Sequence, residues 1–214
     1  LLSRRQRQMC IRDRFLAPNS IVGCGIEMAP EAEWSGVKAK YELPDEYVLY
    51  LGRVSKAKVD KLLPYFLRCK AKYGGDAKLV LVGGFENEIR KFDSPDILFT
   101  GYVSDEEKTA IVRHATVMVN PSPMESLSLL MLEGMQSRIP LLVNGRSKVM
   151  KDHCRLSGAG LWYNNGRDFR KKLHRLLSDP ELRRTMSEKG PAYVREHYDW
   201  EIIIPKLRTL IESI

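Results

Sequence analysis

The stretch Tyr47-Val-Leu-Tyr-Leu51 decides the fold, because it is a short, uninterrupted apolar run that ends at Gly52. Such a run is typical of a strand that is buried on both faces of a sheet. Further runs of the same kind follow along the chain, at 78–84, 97–101, 116–120, 139–144 and 160–163. Helical patterns separate most of these runs. The alternation predicts an α/β fold, a Rossmann-like, doubly wound parallel sheet.

Helix signals fill the intervals between the strands. The apolar residues between 59 and 66 recur every three or four positions, which predicts a helix that has Pro64 in its first turn. The stretch Ser104-Asp-Glu-Glu107 predicts a capping box. Asp179-Pro180-Glu181 predicts the start of a further helix, and Gly190-Pro191 predicts its interruption.

Composition excludes several classes of protein. The chain is 43% hydrophobic and 29% charged, which is ordinary for a globular domain, and it has no apolar run near the ~18 residues of a membrane span. The cysteines are scattered and form no CxxC pair, which favours a reducing compartment and argues against a structural zinc site. They are Cys10, Cys24, Cys69 and Cys154.

The net charge of +8 is unevenly distributed. Residues 1–14 hold five Arg and one Asp, so they supply half of it. This segment has no helical or strand period and resembles translated sequencing-adapter read-through. We therefore expect it to be non-native, with a basic arm for nucleic acid as the alternative. For the rest of the chain we expect no nucleic-acid partner.

Ligands of doubly wound sheets bind beyond the carboxyl ends of the strands, so the turns there are the places to search. Gly52-Arg53 follows the first strand, and Lys58 comes shortly afterwards at the start of a predicted helix. Two cations beside the positive end of a helix dipole predict a phosphate site. Two solvated surface charges remain the alternative.

The turn after the fourth strand holds two carboxylates in an apolar setting. Pro121 and Pro123 keep this turn extended, and Ser126 is the predicted N-cap of the next helix. On one helix Glu125 and Glu133 would lie about 12 Å apart along the axis and ~80° around it. The free amides at the helix start, around residues 128–129, would bind phosphate between them, while the carboxylates accept from sugar hydroxyls. A nucleotide sugar fits this pattern; a loop charge and a solvent-facing charge are the alternative.

Several segments, in order, resemble one enzyme family. LYLGRVSKAK, LVLVGG, LFTGYVSDEEK and NPSPMESLSLLMLEGM are similar to motifs of the C-terminal, donor-binding domain of retaining glycosyltransferases with the GT-B fold. The family is glycosyltransferase family four, also called glycosyl transferases group 1, and Glu125 and Glu133 match its E-x7-E signature. The segment PLLVNGRSKVMKDHCRLSGAGLWY resembles the bacterial branch that builds surface polysaccharides. The resemblance extends over residues 47–200.

The resemblance implies a role for each matching residue. Arg53 and Lys58 would bind the donor diphosphate and stabilise its departure, and Glu125 would act at the transferred hexose. Glu133 would bind the ribose hydroxyls. The other donor-contacting residues implied are Gly52, Ser126, Leu127, the amides of Ser128 and Leu129, and Tyr102 and Val103 around the base. The implied chemistry uses no metal and no cofactor, since the nucleoside-diphosphate sugar is a substrate.

The resemblance also implies a division of the chain. Residues 15–45 would be an irregular linker from a missing N-terminal domain, 46–195 the nucleotide-sugar-binding domain, and 196–214 a C-terminal crossover helix. We expect such a fragment to bind donor without transferring sugar to its glycan or lipid-linked acceptor. The expected location is cytoplasmic, with peripheral contact at the inner face of the plasma membrane as a minor alternative. A GT-B nucleotide-sugar epimerase and a non-catalytic nucleotide-binding module remain alternative functions.

Overall fold

The computed structural model describes residues 23–86 and 94–212, and in this part of the chain six parallel strands form one sheet. The expectations for residues 1–14, and for residues 15–22 of the linker, therefore lie outside the described residues. In chain order the strands are β1 (Tyr47–Leu51), β2 (Lys78–Val82), β3 (Ile97–Gly101), β4 (Val117–Asn120), β5 (Leu141–Asn144) and β6 (Gly160–Tyr163). Their order in the sheet is β3-β2-β1-β4-β5-β6. The predicted α/β class and doubly wound parallel sheet are confirmed.

Helices connect the strands and cover both faces of the sheet. They are α1 (Trp34–Lys40), α2 (Lys56–Val59), α3 (Leu62–Tyr73), α4 (Asp105–Arg113), α5 (Leu129–Gln136), α6 (Lys148–Ser157), α7 (Gly166–Ser178), α8 (Pro180–Tyr198) and α9 (Trp200–Glu212). The side chains of β1 alternate between two buried clusters: Val48 and Tyr50 pack with α3 and α7, and Leu49 with α4, α5 and α8. None of the described helices is long and apolar enough to cross a membrane.

The strand order reverses between β1 and β4, and there the sheet opens. β1 pairs with β2 along its whole length, as far as Leu51 opposite Val82. Its pairing with β4 ends earlier, at Leu49 opposite Met118. The carboxyl ends of β1 and β4 therefore separate, and the turns that follow them border a crevice at the topological switch point.

Three predicted helix starts are confirmed. The capping box is present, with the Ser104 hydroxyl accepting from the Glu107 amide at 3.2 Å and the Glu107 carboxylate accepting from the Ser104 amide at 3.0 Å. Pro64 lies in the first turn of α3, where its missing amide proton costs no intrahelical bond. Asp179 caps α8 by accepting from the Leu182 amide at 2.9 Å.

The predicted interruption at Gly190-Pro191 is wrong, because α8 continues through both residues to Tyr198. Its packing against α5 explains the continuity. A Cβ atom at residue 190 would lie 2.5 Å from the carbonyl oxygen of Met135, so only glycine lets the two helices approach this closely. The resulting contact offsets the backbone hydrogen bond that Pro191 cannot donate.

The predicted irregularity of residues 15–45 is also wrong for part of the segment, because α1 occupies residues 34–40. The Glu33 carboxylate begins this helix by accepting from the amides of Ser35 and Gly36, at 3.0 and 2.7 Å. Val37 on α1 is buried in the core. At the other end of the domain, the expected boundary at 195/196 falls inside α8.

His153 is a buried titratable group between α6 and α8. Its Nδ1 lies 2.8 Å from the Tyr193 hydroxyl, and its Nε2 is buried with no hydrogen-bond partner in the described part of the chain. Burial lowers the pKa of His153 to about 4. The charged imidazolium is disfavoured in the native state, so the unfolded chain takes up this proton at a higher pH.

We expect this difference to destabilise the protein in acid. The stability contribution of neutral His153 is complete above about pH 6.5 and is lost as the pH falls toward about 4. For one histidine the loss amounts to about 3 kcal/mol between pH 7 and pH 4. Urea unfolding of wild type and His153→Phe across this range measures it. Parallel stability–pH curves for the two proteins would contradict the assignment.

Candidate functional site

A cleft of about 460 Å³ lies at the crevice between the ends of β1 and β4. Three parts of the chain line it: the end of β1 with the turn and helix α2 that follow, the turn from Asn120 into α5, and Cys24. Of the predicted donor-contacting residues, it gathers Gly52, Arg53, Lys58, Glu125, Ser126, Leu127, Ser128 and Leu129. Tyr102, Val103 and Glu133 do not line it.

Two glycines lie next to each other after β1 and β2, and the first of them, Gly52, lines the cleft. Gly52 and Gly83 both have φ of +128°, which side chains rarely adopt. A Cβ atom at Gly83 would lie 2.3 Å from the carbonyl oxygen of Gly52. The Gly52 amide donates to the Val82 carbonyl at 3.0 Å, so the turns after β1 and β2 run side by side.

Arg53 is held at the cleft by its backbone. The buried Tyr50 hydroxyl donates to the Arg53 carbonyl at 2.9 Å. Burial, with a smaller effect of the Glu125 charge, raises the pKa of Tyr50 to about 12, so this hydroxyl stays protonated at neutral pH. The Arg53 guanidinium is exposed and has no carboxylate partner among residues 23–86 and 94–212. It is therefore available to an anion.

Lys58 reaches across the cleft to the turn after β4. Its Nζ lies 3.6 Å from Glu125 Oε1 and 3.5 Å from Ser122 Oγ. Both partners of the ion pair are partly exposed, at 46% and 26% of their side-chain surfaces. Such a pair contributes little to stability. Its consequence is positional, since it holds an ammonium and a carboxylate at the same side of the cleft.

The turn between β4 and α5 is pinned by side chains that the sequence reasoning missed. Asn120 Nδ2 donates to Ser128 Oγ at 3.1 Å, and Asn120 Oδ1 accepts from the Ser122 amide at 3.0 Å. From the next strand, Asn144 Nδ2 donates to the Pro121 carbonyl at 2.9 Å. The signal that could have found both asparagines is their position as the last, polar residue of an otherwise apolar strand.

The helix that follows starts later than predicted. The N-cap of α5 is Ser128 rather than Ser126, and its φ of 66° and ψ of 78° place it in the left-handed region. No side chain caps this end of the helix. The amides of Ser128, Leu129 and Leu130 donate to no group in the described part of the chain. Three free amides at the positive end of a helix are suited to bind phosphate.

The two glutamates of the E-x7-E signature do not share a helix, so the predicted helical spacing between them is wrong. Glu125 lies in the irregular turn, whose two prolines hold it extended, whereas Glu133 lies within α5. Glu133 faces α4, with its Oε1 3.4 Å from Lys108 Nζ. Its side chain is 13% exposed, and its Oε2 is buried without a hydrogen-bond partner in the described residues.

The turn after β3 places Tyr102 and Val103 beside the cleft rather than in it. Tyr102 is 87% exposed. Its ring lies over Gly84, where a Cβ atom would come within 2.5 Å of the hydroxyl oxygen. Val103 is half-buried against the core next to α4. These residues belong to the same carboxyl edge of the sheet, on the side toward Lys108 and Glu133.

No group of three or more His, Cys, Asp or Glu side chains that could hold a metal ion is present in the described ranges. His153 and Cys154, which are adjacent in sequence, are both buried in the core. Burial raises the pKa of the Cys154 thiol to about 12, so it is not a reactive thiolate.

Comparison with known families and proteins shows one consistent similarity. The model of the family described as glycosyl transferases group 1 matches residues 36–193. The chain is 30% identical over 174 residues to an alpha-D-kanosaminyltransferase from Streptomyces kanamyceticus, which covers 75% of this chain and 44% of that protein. This chain spans less than half the length of these curated relatives.

Solved structures with the same fold include the two that follow. Sucrose-phosphate synthase from Thermosynechococcus elongatus superposes with a TM-score of 0.74 at 21% identity, covering 98% of this chain and 56% of that one. The C-terminal domain of the glycosyl transferase group 1 family protein LpcC from Francisella tularensis superposes with a TM-score of 0.65 at 18% identity. That match covers 80% of this chain and 95% of the domain.

The contact between Gly83 and Gly52 can be tested by substitution. We expect Gly83→Ala to be at least about 2 kcal/mol more destabilising than Gly75→Ala, because the added methyl group overlaps the Gly52 carbonyl. Gly75 is the matched control, since it also has a positive φ, +92°, but has no atom within 4 Å of the added Cβ. Denaturant unfolding of both variants measures the difference. Equal losses would show that the close approach of the two turns costs nothing.

Proposed function

This chain belongs to the glycosyl transferases group 1 family, and from that premise we propose that it is the donor-binding half of a retaining glycosyltransferase with the GT-B fold. The reaction moves a hexose from a nucleoside-diphosphate sugar to a glycan or lipid-linked acceptor, as in bacterial surface-polysaccharide synthesis. The observation that carries the proposal is the pairing of the free amides of residues 128–130 with Arg53 and Lys58 across one cleft.

The diphosphate is the part of the donor that the cleft fits best. One phosphate takes the free amides at the start of α5, where the helix dipole also favours negative charge. The other lies between Arg53 and Lys58, which stabilise the negative charge that develops on the departing diphosphate. In this proposal the protein supplies these charges without a metal ion or a cofactor.

The sugar and the nucleoside extend from opposite ends of the diphosphate. Glu125, held by Lys58 at 3.6 Å, acts next to the anomeric carbon of the transferred sugar. Gly52, Ser126 and Leu127 complete the wall of the cleft around the sugar and the diphosphate. Glu133, whose side chain is 13% exposed, accepts from the ribose hydroxyls through its carboxylate.

Tyr102 and Val103 lie farther along the same edge of the sheet and border the base. The exposed ring of Tyr102 offers a face for stacking.

The remaining catalytic groups belong to a second domain in this proposal, and the acceptor binds in the cleft between that domain and this one. The chain by itself then binds donor and does not transfer sugar. The proposed location is the cytoplasm, since the described cysteines Cys24, Cys69 and Cys154 are free thiols, as a reducing compartment maintains them. Contact with the inner face of the plasma membrane would follow from a lipid-linked acceptor.

The diphosphate site is tested by nucleotide binding. We expect the 214-residue chain to bind UDP or GDP, and Arg53→Ala and Lys58→Ala each to weaken binding about tenfold. Each substitution removes a charge-assisted contact worth about 1.5 kcal/mol. Isothermal titration calorimetry with both nucleotides and with UDP-glucose and GDP-mannose measures the affinities and identifies the base.

Lys61→Ala is the matched control, because it removes the same ammonium group three residues after Lys58 from a side chain that does not line this cleft. Its affinity for nucleotide should equal that of wild type. If neither nucleotide binds, or if Lys61→Ala weakens binding as much as Lys58→Ala, the proposed diphosphate site is wrong.

The ribose contact is tested by changing the ligand and the protein together. We expect wild type to prefer the nucleotide over its 2′,3′-dideoxy form by about tenfold, because the dideoxy ligand lacks the hydroxyls that donate to the Glu133 carboxylate. Glu133→Ala should lose this preference. Lys108→Ala is the control, since it breaks the ion pair with Glu133 but keeps the carboxylate. A preference that survives in Glu133→Ala would place the ribose elsewhere.

A further inference from the structure

A second, larger cleft lies beside the first at the carboxyl edge of the sheet. Its volume is about 670 Å³, and it is bordered by the turns after β5 and β6 and by α2 with the start of α3. Of the residues in the proposed diphosphate site, Lys58 alone also lines this second cleft. The question is what this cleft is built to hold.

The two clefts share one wall. Pro121 and Pro123 of the turn after β4 line the second cleft, whereas Ser122 and Glu125 of the same turn line the first. Lys58 lines both. The second cleft therefore begins at the sugar end of the proposed donor site, on the far side of the Lys58–Glu125 pair.

The charged side chains around the second cleft are predominantly cationic. Besides Lys58, it is lined by Lys56, Lys61 and Arg146, against the single carboxylate of Asp60. These three further cations are exposed and have no carboxylate within ion-pair distance in the described part of the chain. Together with Lys58 they bring four cations to one concave surface, which attracts anions.

The uncharged lining suits a sugar. The Asn164 carboxamide has no recorded partner among the described residues, and Asn165 uses only its Oδ1, which accepts from the amides of Arg167 and Asp168 at 3.0 Å. Both side chains therefore retain donors for hydroxyl groups. Tyr65 adds an aromatic surface. Its ring packs against Gly166 and makes an edge-on contact with Tyr163, with the two ring centroids 6.4 Å apart.

We propose that this second cleft binds an anionic sugar unit of the acceptor, one that bears a phosphate or a carboxylate. The inference rests on the proposed function, because it places the acceptor next to the sugar end of the donor. Lys61 and Arg146 bind the anionic group, and Asn164, Asn165 and Tyr65 contact the sugar ring. The acceptor class is then an acidic or phosphorylated glycan rather than a neutral one.

The test is an NMR titration of the 15N-labelled 214-residue chain with glucose 6-phosphate, glucuronate and glucose, each with and without UDP. We expect at least one of the two anionic sugars to shift the backbone amides of residues 145–146 and 164–166, with UDP bound or absent. UDP itself should shift residues 126–130. The stronger of the two anionic sugars identifies phosphate or carboxylate as the preferred group, and glucose should produce no comparable shifts.

The variant Lys61→Gln/Arg146→Gln should weaken binding of the anionic sugar about tenfold and leave the UDP affinity unchanged. An unchanged UDP affinity also shows that the variant is folded. The matched control is Lys171→Gln/Arg175→Gln, which removes the same two charges from exposed positions on α7 outside the cleft.

The outcomes separate this inference from the proposed function. If UDP binds but neither anionic sugar does, if glucose produces the same shifts, or if the control variant loses as much affinity, the acceptor assignment is overturned while the donor site stands. If UDP fails to bind, the proposed function fails. A response to anionic sugars alone would then indicate an anion site unconnected with sugar transfer, which also overturns the acceptor assignment.

Discussion

The fold and the site both depend on the incomplete pairing of two buried parallel strands. β1 is central in the sheet and is paired with β2 as far as Leu51, but with β4 only as far as Leu49. Connections in a parallel sheet leave the carboxyl ends of neighbouring strands at one edge, and here those two ends separate. Gly52 and Asn120 then continue into turns with a gap between them, and the gap is the cleft.

The strands were predictable because a strand that is buried on both faces of a sheet appears in the sequence as a short, continuous apolar run. Each is a continuous apolar run, and its polar or glycine neighbour marks the end where a ligand could bind. Capping signals located α4 and α8 for the same reason, since a short polar side chain before a helix has one dominant local use. The site residues after β1 and β4 could therefore be named from the sequence, together with the edge on which they lie.

The shape of the turn after β4 was not predictable, because it depends on tertiary contacts. Ser128 adopts a left-handed conformation that its own propensity disfavours, and Asn120 and Asn144 from two neighbouring strands hold the turn in place. The prediction that Glu125 and Glu133 share one helix did not include these tertiary contacts. The continuity of α8 through Pro191 has a similar origin, since the contact of Gly190 with Met135 lies outside the local sequence.

Several of the places where local rules fail lie at the cleft or next to it, and their proximity carries more weight than any one residue. A left-handed serine without a capping bond, three unsatisfied helix amides and two glycines at φ of +128° each reduce the stability of the native state. The buried, unpartnered carboxylate oxygen of Glu133 reduces it further. The free helix amides, the Arg53 cation and the Glu133 carboxylate oxygen are left without partners among the described residues, and one ligand that carries both phosphates and hydroxyls has the chemistry to pair with all of them.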